Sequence, residues 1–359
     1  MTGQLDLRAR LAEEIPTLLE TGGVTGLSAA LVEEGEVTWA EGFGLADRET
    51  VRPVTPETIF QAASLSKPVF AYGVLRLRER GELLLNRPLT DILPEPYLPD
   101  EPRLNDITAR RVLCHTPGLP NWRSAGEPLR IHFPPGERFS YSGEGYVYLQ
   151  RTVEHLKSMP LDTWIDDEVI RPLGMTGSSY VWQDRYGTCA ARGYDGDGKL
   201  IERPPMTTPN AAYSLYTTPS AYAQFVAALL GPAKDDRRLS RRSVDEMLTP
   251  HIPVNDLAPW NTEWPARSVQ MSDDVWWGLG WGLQVSHTGE GPRGDTFWHW
   301  GDNGPFASLT MADRARGLAL VAMANSGGAL RLWPALFALL FGERLPALDW
   351  LLDMYEQMP

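Results

Sequence analysis

Apolar residues recur first at helical spacing. Leu7, Leu11, Ile15 and Leu18 fall on one face of residues 5–20, which predicts a helix packed on a sheet, with Pro16 imposing a kink or a break. After Gly22-Gly23 the pattern changes. Two β-like runs, Leu27–Val32 and Glu36–Ala40, flank Glu33-Glu34-Gly35 and read as a hairpin, with a third short run over Gly42–Ala46. Polar, proline-bearing residues 47–59 then deliver the chain to a short apolar approach ending at Ser64. A helix follows it. Phe70, Val74 and Leu77 stand at i, i+4 and i+7, Gly81 supplies a stop, and Pro68 falls in or near the first turn, where a missing N–H costs least.

From there to about residue 250 the chain reads mainly as helices between proline and glycine loops, with helix-like runs at 106–114, 144–157, 161–170, 219–231 and 240–248. Beta character returns at Trp277–Val285, Thr296–Trp300, Phe306–Met311 and Leu318–Ala324, and two apolar helices, 329–341 and 347–356, close the chain. Strands at both ends with helices between predict an α/β (α+β) fold. Its antiparallel sheet is formed by the N- and C-terminal segments and flanked by helices, with a mainly helical domain inserted. The expected division is a sheet-containing domain over 1–60 and 275–359 and a helical domain over 61–274, with the active site at their junction.

Composition narrows the partners. A formal charge of −13 over 359 residues argues against nucleic acid and against anionic membrane surfaces. No basic, apolar leader pattern opens the chain and no run of eighteen apolar residues interrupts it, so a cytoplasmic protein is expected. Two cysteines, Cys114 and Cys189, make no disulfide framework, and no Cys/His cluster has metal-ligand spacing. No cofactor is expected. Seven of the thirteen tryptophans lie between Trp260 and Trp300, a density that fits either core and interface positions or an aromatic-walled cleft.

The candidate chemistry begins at Ser64-Leu65-Ser66-Lys67. A spacing of three residues puts the Ser64 hydroxyl and the Lys67 ammonium on one helix face, within one turn. A serine needs a base, and lysine serves only if burial or nearby positive charge lowers its pKa from about 10.4. An ordinary capped helix carries the same short pattern. Three further stretches change its weight: His115-Thr116-Pro117-Gly118-Leu119-Pro120, then Pro135–Gly143 with Tyr141-Ser142-Gly143, then Trp298-His299-Trp300-Gly301-Asp302-Asn303-Gly304. With these, and with Arg171-Pro172-Leu173-Gly174-Met175 and Trp277-Gly278-Leu279-Gly280-Trp281-Gly282, nearly the whole chain resembles the serine β-lactamase-related family. That family includes class C β-lactamases, D-alanyl-D-alanine peptidases, D-aminopeptidases and a group of carboxylesterases.

The resemblance implies a penicillin-binding-protein-like fold, with Ser64 as acylated nucleophile, Lys67 as its proton acceptor and Tyr141 as the second-motif tyrosine that relays or accepts a proton if neighbouring cations lower its pKa. It further implies an oxyanion hole of the backbone N–H groups of Ser64 and Asp302, and a substrate-lining third motif at His299-Trp300-Gly301. Two departures bear on substrate. Gly143 stands where the family often has asparagine, and His299 and Trp300 stand where β-lactamases have lysine and threonine. Each loss weakens recognition of a carboxylate-bearing amide more than acyl transfer itself. No Gly-x-Ser-x-Gly occurs, which argues against a nucleophile elbow. The expected activity is therefore a cofactor-free serine hydrolase acting through an acyl-enzyme, foremost on small or aromatic esters. A β-lactamase or a D-amino-acid peptidase or amidase, to which Asp302 or Glu144 offers an anchor, is the first alternative. A catalytically idle binding or scaffold member of the fold is the second. Oligomeric state is left open.

Overall fold

The computed structural model describes residues 7–123, 126–232, 235, 237–254, 273–288 and 291–356. The chain opens with α1 (Leu7–Gly22), then β1 (Gly26–Glu33), β2 (Glu36–Asp47), β3 (Arg52–Pro53) and β4 (Phe60–Ala63). Next come α2 (Ser66–Glu79), α3 (Ala109–Leu113), α4 (Gly143–Lys157), α5 (Leu161–Ile165), β5 (Leu215–Thr217), α6 (Pro219–Leu230) and α7 (Arg241–Met247). Strands β6 (Ile252–Pro253), β7 (Val275–Trp277), β8 (Gly282–Thr288), β9 (Gly291–Asp302), β10 (Ala307–Asp313) and β11 (Leu318–Ala324) follow, and α8 (Trp333–Phe341) and α9 (Pro346–Glu356) end the fold.

Nine strands form one sheet in the order β3-β2-β1-β11-β10-β9-β8-β7-β6, antiparallel throughout. The two chain ends meet at its centre, where Leu27 pairs with Ala324. This is the sheet expected from the strand pattern, with differences of detail. Glu34 and Gly35 both take positive φ, as a two-residue hairpin requires, and β2 continues through Gly42–Ala46 because β1 pairs with it along its full length. Strand β4 pairs instead with β5, inside the helical region.

Pro16 neither breaks nor ends α1. A proline inside a helix costs about 3 kcal/mol. Leu11, Ile15 and Leu19 are buried on one stripe and contribute about 1.5–3 kcal/mol each, so the packing wins.

Both faces of the sheet are covered. One face packs Leu31, Trp277, Trp298, Trp300, Met311 and Leu320 against α1, α8 and α9. The other packs Ala30, Leu283, Phe297, Ala312 and Val321 into a core shared with α2, α4 and α6. Within that second core α2 is buried on every side from Ser66 to Leu77, which makes it the central rod of the helical region. Among the described residues no helix is long and apolar enough to cross a membrane, and no group of His, Cys, Asp and Glu could hold a metal ion.

Candidate active site

Ser64 lies in the turn between β4 and α2, partly exposed between buried neighbours. The chain enters that turn through Ala63 at φ +48°, a left-handed conformation that costs a non-glycine residue about 1–3 kcal/mol. Two hydrogen bonds hold it there. Ser66 Oγ donates to Ala63 O at 2.6 Å, and Ser308 Oγ of β10 donates to Ala62 O at 2.9 Å.

Lys67 Nζ stands 3.0 Å from Ser64 Oγ and donates to the Ala212 carbonyl at 2.9 Å. Because α2 is enclosed, Lys67 is only 1% exposed. Burial holds its pKa well below the ordinary lysine value. The Lys67 nitrogen also lies 4.6 Å from the centre of the Tyr141 ring. Tyr141 is buried beside Ser64. Desolvation raises the phenol's pKa, against the smaller lowering effect of the Ser64 hydroxyl. The condition that neighbouring cations lower it is therefore not met: burial raises the phenol's pKa and drives that of the lysine beside it down. The structure thus brings serine, lysine and tyrosine together where burial disfavours the charged forms of both proton-handling groups.

The third motif divides between two faces of β9. Strand β8 ends its pairing at Trp298, so residues 299–302 hydrogen-bond to β10 alone on one side. His299 and Gly301 turn toward Ser64. A Cβ added at Gly301 would stand 2.2 Å from Ala62 O, 2.4 Å from Ser308 Oγ and 3.0 Å from Ser64 N, so only glycine lets the strand run this close to the nucleophile. His299 donates from Nδ1 to Trp300 O at 2.7 Å, and burial together with Lys67 lowers its pKa to about 3, leaving the imidazole neutral.

Trp300 and Asp302 turn the other way. The Trp300 ring is 1% exposed, packs against Trp298 and Trp350 at centroid distances of 5.8 and 5.5 Å, and donates from Nε1 to Tyr355 Oη at 3.2 Å. Its expected place on the substrate wall is thereby corrected: strand alternation puts it in the core behind the site, where its ring lies 4.8 Å from that of Tyr141. The Asp302 carboxylate accepts from Gly304 N at 2.7 Å and is hydrogen-bonded with Tyr355, so it does not face a substrate either.

Gly143, at the start of α4, is not open space. A Cβ there would lie 2.6 Å from Trp122 Cζ2 and 2.8 Å from Asn121 O. The indole of Trp122, 37% exposed, fills the place a longer side chain would need, and it meets Tyr213 edge-on at 5.5 Å. Neither Trp122 nor the Ala212 carbonyl was singled out from the sequence. A main-chain acceptor leaves no signature, whereas Trp122 follows the His115 motif closely enough to have been considered with it.

Of the two readings of the tryptophans between Trp260 and Trp300, the core one fits Trp277, Trp281, Trp298 and Trp300, which are buried, while Trp276 is partly exposed and Trp260 and Trp264 lie outside the described residues. A cleft of about 920 Å³ opens elsewhere, beside the segment leading to Ser64, lined among others by Gln61, Trp182, Tyr216, Arg203 and Phe306.

A sheet closed by both chain ends, with a serine and a buried lysine at the foot of an enclosed helix, defines a penicillin-binding-protein type of fold. The chain is similar in fold to the octameric penicillin-binding protein homologue from Pyrococcus abyssi, with TM-score 0.74, 23% identity and coverage of 94% of this chain and 78% of that one. It is likewise similar to D-alanine carboxypeptidase AmpC from Burkholderia cenocepacia, with TM-score 0.75, 19% identity and coverage of 93% and 99%. The chain belongs to the beta-lactamase family, whose sequence model matches residues 11–340. Among curated relatives, Esterase EstB of Burkholderia gladioli is 34% identical over 208 residues, which are 49% of this chain and 52% of that protein. The match thus spans about half of that relative's length.

Proposed function

We propose that the protein is a serine hydrolase that cleaves small or aromatic esters through a covalent acyl-enzyme. The observation that carries this reading is Lys67, buried, its pKa driven down by desolvation, and 3.0 Å from Ser64 Oγ. A neutral amine has a lone pair for the serine proton. Ser64 Oγ attacks the ester carbonyl carbon while its proton passes to Lys67 Nζ, and the backbone N–H groups of Ser64 and Asp302 receive the oxyanion. The C–O bond then breaks. Tyr141, whose raised pKa keeps it a donor, protonates the departing alcohol and is restored from the Lys67 ammonium. A water attacks the acyl carbon by the same route and gives the carboxylic acid and free Ser64.

Three features favour esters over carboxylate-bearing amides. Trp122 fills the space beside Gly143 where an amide side chain would hold a substrate amide. His299 is neutral and offers no charge to a substrate carboxylate. The relative EstB is named an esterase. The D-amino-acid peptidase reading needs a carboxylate for a substrate ammonium, yet Asp302 is bound to Gly304 and Tyr355, and Glu144 is paired with Arg123 at 2.9 Å. An idle scaffold would have no use for a desolvated lysine against a serine, because desolvating an ionisable group opposes folding.

The test uses a fluorophosphonate probe with peptide mapping, and p-nitrophenyl acetate and butyrate against nitrocefin. Label on the Ser64 peptide, absent in Ser64→Ala, and kcat/KM for the esters at least about a hundredfold above nitrocefin are expected, since two lost bonds to a charged group are worth about 3 kcal/mol or more. Equal efficiency on nitrocefin would put the β-lactamase reading first. Labelling that persists in Ser64→Ala would remove the nucleophile assignment.

A further inference from the structure

His115 takes no part in the acyl transfer just described, yet it is fully buried in the middle of the site. It follows α3 and takes φ +56°, a left-handed conformation that histidine adopts more readily than most residues. From there it reaches the Tyr141 segment three times. Its carbonyl oxygen accepts from Ser140 N at 2.7 Å, and its Nδ1 accepts from Ser142 N at 2.9 Å. Between these bonds, its ring stacks on the Tyr141 ring with centroids 4.2 Å apart and planes 29° from parallel. Ser142 is in turn fixed by donating to Pro120 O at 3.0 Å and by capping α4 through Gly145 N at 2.9 Å. One residue therefore holds the chain before and after the tyrosine and the face of the tyrosine itself.

We propose that His115 is the positioning residue of Tyr141, setting the phenol against Ser64 by gripping the backbone on both sides of it and stacking beneath the ring. The proposal rests on the ester-hydrolase reading, in which Tyr141 serves the leaving alcohol. Three consequences follow from the geometry. The imidazole must stay unprotonated at Nδ1, since that nitrogen accepts the Ser142 bond, and burial and Lys67 both favour the neutral ring. The effect of losing His115 must be largest where proton donation to the leaving group matters most. It must also vanish when there is no phenol to position.

Asparagine is the informative replacement, because its Oδ1 sits near the place of Nδ1 and it tolerates positive φ, whereas leucine keeps bulk and loses the acceptor. The measurement compares wild type, His115→Leu, His115→Asn, Tyr141→Phe and the two double variants on p-nitrophenyl butyrate and on ethyl butyrate, whose alkoxide is a far poorer leaving group. His115→Leu is expected to lower kcat about a hundredfold on the ethyl ester and about tenfold on the aryl ester, with KM within about threefold. His115→Asn is expected to recover kcat to within about tenfold of wild type, and either change made on Tyr141→Phe is expected to add less than about twofold. Losses that are equal on both esters, or that persist in full on Tyr141→Phe, overturn the proposal. If His115→Leu does not fold, His115→Asn and its double variant decide alone by the same two criteria. Absence of fluorophosphonate label on wild-type Ser64 instead defeats the underlying reading, which keeps the two failures apart.

Discussion

The two faces of β9 differ in chemistry and in what they pack against. Toward the helical region the strand shows His299 and Gly301, one neutral imidazole and one glycine pressed against the nucleophile segment. Toward the terminal helices it shows Trp298 and Trp300, which stack on each other and meet Trp350 edge-on in a buried layer, and Asp302, tied to Tyr355. Five consecutive residues thus serve two purposes. The front face is arranged for approach to Ser64, and the back face supplies the rigidity that fixes that approach.

The sharpest way to test this division removes the base that the front face meets. Lys67→Met is expected to lower kcat about a thousandfold or more, read on p-nitrophenyl butyrate. The same change is expected to raise stability. Burial lowers the Lys67 pKa in the folded protein, whereas the unfolded chain binds its proton up to about pH 10.4, so the lysine opposes folding below that pH and the opposition fades as pH rises toward it. A rise in Tm of about 2 °C or more at neutral pH checks the sign. In the wild type, kcat/KM is expected to climb with pH to a plateau. The midpoint lies well below the ordinary lysine pKa, and Tyr141, whose own pKa is raised, imposes no descending limb before about pH 10. A profile that falls above neutral pH would mean that the ammonium, and not the amine, is required.

Gly301→Ala is expected to come next. A single methyl group meets Ala62 O and Ser308 Oγ well inside contact distance, so either the strand or the nucleophile segment must shift. A displacement near 1 Å costs about a hundredfold in kcat, and overpacking about 1–3 kcal/mol in stability. Activity within fivefold of wild type would show the front face to be looser than described. The smallest effect belongs to the back. Trp300→Phe keeps most of the ring packing and loses one hydrogen bond to Tyr355, so stability should fall by about 1 kcal/mol while kcat/KM changes less than about threefold. A large loss of kcat there would mean that the two faces are not separate in function.

The serine–lysine pair was legible because a spacing of three residues across a helix start brings the two side chains together, even with Ser64 in the turn before α2. The burial that makes the lysine a base was not, because it depends on α4, α6 and the sheet closing around α2 from distant parts of the chain. The third motif was misread for a reason available in the sequence. Adjacent strand residues point to opposite faces, so His299, Trp300 and Gly301 cannot all line one cleft. Gly143 was read as a missing side chain, whereas Trp122 of a separate loop occupies that space. The sheet built from both termini was visible in the placement of apolar runs, yet β6 lies within the stretch expected to be helical and β4 pairs with β5 there.

The pairing of β1 with β11 sets an order of events in time. During synthesis β1 and β2 can close their hairpin as soon as both have emerged, while the strand that completes the other edge of β1 emerges only after the whole helical region between them. Until then β1 keeps an unpaired row of N–H and C=O groups, and its apolar residues wait for α8 and α9 as well. Non-local pairing of this kind is slow to form and leaves the nascent chain open to association with other strands in the interval. The central position that makes β1 one of the best protected strands of the finished protein is therefore also what makes it the longest exposed during its birth.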